Sequence, residues 1–268
     1  MAQEISFTDV QVTGSEIGIR EIGFNDLWQA LQQGFDDFKA KPSHMPFLVL
    51  FYFLFALQLT LFLVGDNLLH LAFPMVAGFA FLGPIISVGL FEMSRRRERG
   101  LEAAGRSTFD LVHSSSFAPI LALSVAMLLL FVAWLFMAQF IYFGLFGAVP
   151  PAVPPVSVSD FVNQLFTTRR GAALIFYGNG VGFLFAIAAL SISVVGFPLA
   201  LDRPVTAMTA ASTSIKAVFS NSLVMAVWGL IVVVLLAAGA IVFLIGLAYI
   251  LPILGHATWH LYRKLVEP

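Results

Sequence analysis

Long apolar segments alternate with short polar segments along most of this chain. An apolar segment of about 18 residues or more is long enough to cross the roughly 30 Å hydrocarbon layer of a bilayer as a helix. We place six such segments, at about 45–64, 71–93, 117–146, 172–201, 223–240 and 243–262. The pattern therefore predicts an all-α protein, a polytopic membrane bundle of six transmembrane helices.

The last two spans come from a single apolar stretch, about 222–260, which contains no Asp, Glu, Lys or Arg. One helix of about 38 residues would reach roughly 57 Å, nearly twice the hydrocarbon thickness. We therefore divide the stretch at a turn bracketed by Gly239 and Gly246. The division also returns Arg263 and Lys264 to the same side of the membrane as the other basic clusters.

An amphipathic helix is predicted before the first span. Its apolar face carries residues at helical spacing, and the other face is polar. The apolar residues are Phe24, Leu27, Trp28, Leu31, Phe35 and Phe38. A helix of this kind lies in the headgroup plane with its aromatic side chains toward the hydrocarbon. Residues 1–23 are polar and show no period, which predicts a flexible N-terminal tail.

The spans form three similar units within one membrane domain, 24–268. Each unit has an amphipathic helix, a span, an outer connection and a returning span that ends in basic residues. The boundaries of the three helical hairpins are roughly 24–100, 107–205 and 207–266. The middle unit has the longest spans and the one sizeable outer loop.

One stretch of the first unit is echoed in the third. PIISVGLFEMSRRRER resembles PILGHATWHLYRK when their prolines are aligned, and Glu92 then meets His260 while Arg95 meets Arg263. If pseudo-symmetry relates the two units, these ends are neighbours at the cytoplasmic headgroup level. We predict that Glu92 and His260 form a structural latch flanked by the two arginines, because a nearby carboxylate favours the charged imidazole.

Composition agrees with this class and limits the chemistry. Hydrophobic residues make up 59% and charged residues 11% of the 268 residues, against roughly 45–50% and about 25% in soluble domains. The absence of cysteine excludes disulfides, thiolate metal sites and Cys nucleophiles. A net charge of −1 gives no indication of a nucleic-acid partner. The N-terminus lacks the basic and apolar regions of a secretory signal.

The distribution of basic residues predicts the orientation. With six spans, twelve of the fourteen Lys and Arg fall on the side of both termini, and only Arg169 and Arg170 fall on the other side. Because Lys and Arg concentrate on the cytoplasmic side, both termini are predicted to be cytoplasmic.

His256 and His260 are the candidate metal ligands. Their spacing of four residues places both on one face of the last span, where a histidine pair is able to bind a metal ion or haem. No third ligand is evident. The alternative is that both belong to an aromatic and basic belt at the membrane interface, with Trp259 and Tyr262.

Gly178 and Gly182 form a GxxxG face that lets another helix approach closely, and Asn179 is a polar residue that bonds across such contacts. The contacting helix belongs either to this bundle or to another protein. Between the ends of the six spans we find no Asp, Glu, Lys or Arg. This absence argues against an ion-coupled transporter, since proton relays need such groups inside the membrane.

Several strings also resemble one protein family. GIREIGFNDLWQALQQGFDDFKAKPS, GLFEMSRRRERG, FPLALDRPVTAMTAASTSIKAVFSNS and LPILGHATWHLYRKLV are similar to a bacterial family of integral membrane proteins known as domain of unknown function 2189. The resemblance covers about 18–266. It implies the bacterial inner membrane and supplies no catalytic residues.

Three functional hypotheses follow. The first is a non-enzymatic inner-membrane protein, an accessory or assembly subunit that packs against a larger respiratory or photosynthetic membrane complex. The second is a protein that binds or transports lipid or another apolar small molecule. The third is a haem or metal redox protein that uses the two histidines. Under the first, the expected partners are membrane lipids and a membrane-protein complex, with no cofactor and no nucleic acid.

Overall fold

The computed structural model describes residues 17–43, 69–101, 114–147, 158–241 and 245–268. These residues fold as ten α-helices and two short 3₁₀ turns. The helices are α1 Phe24–Ala40, α2 Ala72–Gly78, α3 Gly83–Glu98, α4 Phe117–Phe146, α5 Val158–Thr167, α6 Arg169–Ser193, α7 Gly196–Asp202, α8 Ala207–Ser220, α9 Ser222–Ile241 and α10 Ile245–Leu265. Within these ranges the only β-type pairing is an isolated bridge between Ile19 and Val266.

Four segments of the described chain are long and apolar enough to cross a membrane. They are 72–98, 117–146, 169–202 and 222–241, and they coincide with the second to fifth predicted spans. The first predicted span, 45–64, lies outside the described residues. The sixth predicted span corresponds to α10, which is not among the four because polar residues lower the hydropathy of its second half.

Two of these segments are interrupted rather than continuous helices. In 72–98, a 3₁₀ turn at Phe79–Leu82 separates α2 from α3. Pro84 lies in the first turn of α3, where its missing N–H breaks no helical hydrogen bond. In 169–202 the chain breaks after α6. There the Ser214 hydroxyl accepts a hydrogen bond from the Val195 N–H at 3.1 Å, and the short helix α7 enters the core.

Two helices occupy the last apolar stretch, as its length predicts. α9 and α10 pack against each other, and Gly239 meets Gly246 at the predicted turn. A Cβ atom added to Gly246 would lie 2.7 Å from the Gly239 Cα. The two backbones therefore approach so closely that neither position has room for a side chain.

α1 packs along α10 through a face that includes only some of the residues of the predicted apolar face. Its buried residues are Leu27, Ala30, Gly34, Asp37 and Phe38. A Cβ atom added to Gly34 would lie 2.5 Å from the backbone nitrogen of Ala257. Three of the aromatic residues assigned to the same apolar face are instead exposed beside it, and these are Phe24, Trp28 and Phe35. The apolar residues of α1 thus form two adjacent faces, one inside the protein and one outside.

Residues 17–22 are ordered, although they fall within the tail predicted to be flexible. The Arg20 N–H donates to the Leu265 carbonyl at 2.8 Å, and the Ile22 N–H donates to Asn221 Oδ1 at 2.9 Å. Asn221 also donates to the Arg20 carbonyl. These bonds attach the entry of α1 to the start of α9 and to the C-terminus. Residues 1–16 lie outside the described residues.

Candidate functional site

Charged side chains gather at one end of the bundle, which we call the basic end. It contains the C-terminal turns of α3, α7 and α10, which pack against one another, and α1 packs along α10. This grouping agrees with the prediction that returning spans finish in basic residues. Of the acidic residues that pair with these basic residues, only Glu92 was singled out from the sequence.

A largely buried group at the basic end is the Asp37 cluster, which comprises Asp37, Ser94, Arg97, His256 and His260. Asp37 Oδ2 accepts a hydrogen bond from the Ser94 hydroxyl at 2.5 Å and lies 2.8 Å from His260 Nε2. Asp37 Oδ1 accepts a hydrogen bond from Arg97 at 2.6 Å. One carboxylate on α1 is therefore bound by α3 and α10 together.

The cluster favours an ionised Asp37. The side chain is only 8% exposed, and burial by itself raises the pKa of a carboxyl group. Hydrogen bonds from His260 and Ser94, with the nearby charges of both histidines, outweigh that effect and hold the pKa of Asp37 below its ordinary value of 3.8. A buried carboxylate is thus compensated by donors from two neighbouring helices.

His256 is bonded through the same serine. Its Nδ1 lies 2.8 Å from Ser94 Oγ. Because the Ser94 hydroxyl has one proton and donates it to Asp37, the Nδ1–H of His256 donates to Ser94. The other nitrogen, Nε2, is buried and has no hydrogen-bond partner among the described residues. The arrangement is a hydrogen-bonded chain from His256 through Ser94 to Asp37.

The predicted latch between Glu92 and His260 is corrected by these contacts. Glu92 forms ion pairs with Arg95 at 2.7 Å and with Arg96 at 2.8 Å. Spacings of three and four residues place these groups on one face of α3, so the carboxylate is bound within its own helix. His260 bonds instead to Asp37. The helices α3 and α10 do pack together, but α1 provides the carboxylate for the histidine.

The two arginines of the predicted latch also have other partners. Arg95 donates to the Leu201 carbonyl at 2.8 Å, in addition to its pair with Glu92. Arg263 pairs with Glu98 at 3.0 Å and lies 3.6 Å from an oxygen of Asp202. Each arginine therefore ties its own helix to a neighbour: α3 to α7 in one case, and α10 to α3 and α7 in the other.

Asp37 and Asp202 are the site residues that the sequence analysis missed. Asp202 accepts hydrogen bonds from the Tyr262 hydroxyl at 2.8 Å and from Arg99 at 3.1 Å. A signal for Asp37 was present in the sequence, because it follows Leu27, Ala30 and Gly34 at steps of three, four and three. That spacing places it on the face of α1 that packs inward.

The two histidines do not form a metal site with other described side chains. No group of three or more His, Asp or Glu residues in the described ranges is arranged to hold a metal ion. His256 and His260 lie on one side of α10, as their spacing predicts, and each bonds to a different partner in the Asp37 cluster.

The predicted GxxxG face divides into an inner and an outer part. A Cβ atom added to Gly182 would lie 3.0 Å from the Trp134 ring, so this glycine packs against α4 inside the bundle. Gly178 and Gly180 have nothing within 4 Å of an added Cβ. Asn179 is exposed, and its amide donates to the Ile175 carbonyl of its own helix at 2.7 Å. Asn179 therefore does not bond to another helix of this chain within the described residues.

An all-helical chain with four long apolar helical segments, and with its charges gathered at their ends, has the architecture of an integral membrane protein. Residues 72–202, from α2 to α7, match the family described as "Predicted integral membrane protein (DUF2189)". The family resemblance predicted from the sequence is confirmed over these residues. No curated protein and no solved structure matches the chain.

Proposed function

We propose that this protein is a non-enzymatic accessory or assembly subunit that packs against another membrane protein through the outer face of α6. Asn179 carries the proposal. It is an exposed polar residue ten positions into the candidate span 169–202, and the flanking Gly178 and Gly180 leave open space beside it.

Contact with lipid would not explain the polar residue and the glycines on this face of α6. The hydrocarbon offers no hydrogen-bond partner, so a carboxamide placed there keeps unsatisfied polar atoms. Asn179 makes one hydrogen bond, to Ile175, among the described residues. Glycine on each side would let a partner helix approach closely enough to bond to the remaining polar atoms. Small residues beside a polar residue are the composition that helix–helix contacts in membranes prefer.

The other exposed surfaces fit contact with lipid. Only 17% of an 18-residue apolar stretch of α9 is buried inside the protein. The large exposed side chains of α9 are aliphatic and include Leu223, Leu230 and Val233. Such side chains have no polar group that needs a partner, so contact with hydrocarbon leaves nothing unpaired. The contrast between α9 and the Gly178–Gly180 segment of α6 is what favours a protein partner at α6.

We also propose the finer topology, with six spans in three hairpins and both termini on the cytoplasmic side of a bacterial inner membrane. The charge distribution supports it. Arg169 and Arg170 begin α6, whereas Asp202 and Arg203 end the same candidate span at the basic end. The close α9–α10 hairpin supports the third unit. Single-cysteine labelling in intact cells tests the orientation, since the native chain has no cysteine.

Purification in mild detergent tests the subunit proposal. The wild-type chain should carry a stoichiometric membrane protein, and Asn179→Leu and Gly178→Leu should each lose it. Both substitutions should leave the chain folded, because among the described residues an added Cβ at Gly178 meets no atom within 4 Å and Asn179 bonds only to its own helix. A partner that remains at full stoichiometry in both variants would contradict the proposal, as would a wild-type chain that carries none.

Two further variants serve as controls. Ala237→Leu adds similar bulk to the exposed face of α9 and should keep the partner. Gly182→Leu forces its side chain into the Trp134 ring and should reduce thermal stability instead. Loss of the partner in Gly178→Leu without loss of stability then assigns the effect to the outer face of α6.

A further inference from the structure

A cavity of about 360 Å³ opens at the basic end, between the last turns of α3 and α7 and the start of α4. Its walls carry three guanidinium groups, from Arg95, Arg96 and Arg203. Serine hydroxyls at Ser115 and Ser116 line the opposite side. The volume lies in the range of roughly 300–1,000 Å³ that small-molecule sites occupy.

The cavity is lined by more positive than negative charge. Glu92 and Asp202 also line it, which gives three guanidinium groups against two carboxylates. Asp202 is bound from outside the cavity by Arg99 and the Tyr262 hydroxyl. Arg203 donates to the backbone carbonyl of Glu267, and no ion pair with a carboxylate is formed by it within the described residues. Arg203 is therefore the guanidinium most available to a ligand.

The start of α4 adds to the positive potential. This helix has 30 residues, and it begins at the cavity wall. The hydroxyl of its N-cap residue, Ser116, donates to the Leu201 carbonyl at 3.3 Å and does not cap the helix. The first turn contains no acidic residue. The Phe117 N–H already donates to the Ser114 carbonyl and Pro119 has no N–H, so what the helix start offers an anion is the helix dipole and the Ala118 N–H.

The side chain of Arg95 contributes a further donor. Its Nε atom is buried and has no hydrogen-bond partner among the described residues, although the terminal nitrogens of the same side chain bind Glu92 and Leu201. A buried charged donor without an acceptor is costly. Because this atom is enclosed, an acceptor oxygen in the cavity reaches it only if the guanidinium group turns toward the cavity.

We propose that this cavity binds a phosphate group, either of an anionic phospholipid or of a free phosphate compound. Guanidinium groups match phosphate oxygens with paired hydrogen bonds, and a helix N-terminus favours the same anion. The cavity lies where the candidate spans 72–98 and 169–202 end, which is the depth of lipid headgroups. This site is independent of the α6 face and of any partner bound there.

The test uses the purified full-length chain with two probes, phosphatidylglycerol in nanodiscs or mixed micelles and inorganic phosphate in buffer. Native mass spectrometry measures retained lipid, and thermal unfolding measures the stabilisation that each probe gives. Arg203→Gln should weaken binding about tenfold or more, because a charge-assisted bond to phosphate is lost. Arg170→Gln, at the opposite end of α6, is the matched control and should bind as the wild type does.

Ser115→Asp separates binding from folding. An aspartate just before α4 favours the helix through its dipole, so stability without ligand should hold or rise. The same carboxylate repels a phosphate, so binding should fall sharply. Retention of phosphatidylglycerol with no stabilisation by millimolar phosphate identifies a lipid headgroup, and stabilisation by phosphate with no retained phosphatidylglycerol identifies a free phosphate compound. The proposal is overturned if the wild-type chain binds neither probe, or if Arg203→Gln and Ser115→Asp bind both as it does.

Discussion

Replacement of Asp37 should release α1 from the bundle. This carboxylate lies on α1 and is bound by Ser94 and Arg97 on α3 and by His260 on α10. Asp37→Ala would remove all of these bonds and leave their donors without an acceptor. Asp37→Asn would keep one carbonyl oxygen in the same place but would remove the charge.

The structure sets the size of the effect. A hydrogen bond to a charged group contributes about 1.5–3 kcal/mol when it is buried, and the bonds from Ser94 and His260 are of this kind. Arg97 is 46% exposed, so solvent screening reduces its contribution to about 1 kcal/mol or less. Because such contributions are not additive, we expect Asp37→Ala to cost about 3–5 kcal/mol, as breaking a buried ion pair does. Asp37→Asn should cost less, about 1–3 kcal/mol, since one acceptor remains.

Single-cysteine labelling measures this loss of stability at the contact between α1 and α10. Ala30 is fully buried between α1 and its neighbours, and the native chain has no cysteine. In an Ala30→Cys chain, a water-soluble maleimide should react only when α1 separates from α10. A loss of about 3 kcal/mol would raise the population of that opened form, and hence the labelling rate, roughly 100-fold.

The neighbouring acid provides the control. Asp36 is 63% exposed and among the described residues pairs only with Lys39, at 3.7 Å, so Asp36→Ala should change the labelling rate little. If Asp37→Ala and Asp36→Ala label at the same rate, the Asp37 cluster does not hold α1 in place. That result would refute the reasoning, whatever the thermal stability of the two variants.

Two further predictions concern pH and close backbone contacts. The stability that ionised Asp37 contributes is fully present above its unfolded pKa of 3.8 and is lost as pH falls through its lowered folded value. The difference in unfolding free energy between the wild-type and Asp37→Asn chains should therefore begin to shrink only below pH 3.8 and vanish once the pH is below the folded pKa; a constant difference down to about pH 2 would contradict this. Gly239→Ala should lower the melting temperature, because its Cβ would lie 3.0 Å from the Leu247 nitrogen. Gly229→Ala should be neutral or stabilising, because its Cβ would meet only the end of a leucine side chain, at 3.4 Å. Equal melting temperatures for the two variants would exclude close packing at the hairpin.

The positions of the long helices were predictable because hydrophobic length is a local property. The predicted span 117–146 and the helix α4 have the same bounds. The division of the last apolar stretch into two helices followed from the limited thickness of a bilayer, and α9 ends at Ile241 and α10 begins at Ile245, between the two predicted glycines. The family resemblance was also evident in the sequence, and the family model matches residues 72–202.

The partners of the charged residues were not predictable in the same way. Alignment of the first and third units identified Glu92 and His260 as equivalent positions, but equivalent positions do not have to touch. Glu92 pairs with arginines three and four residues further along its own helix, because side chains at these spacings are neighbours on a helix surface. His260 met Asp37, which is 223 positions distant in the chain.

The sequence by itself determined which segments are apolar helices and which of their ends are charged, because both depend on residues that are neighbours in the chain. Only the tertiary structure decided which face of α1 is buried. The periodicity of α1 is satisfied by either of two adjacent apolar faces, and the absence of a side chain at Gly34 lets α10 approach one of them at Ala257. That approach carries Asp37 into the interior and leaves Trp28 outside, since both residues are fixed to the same rigid helix.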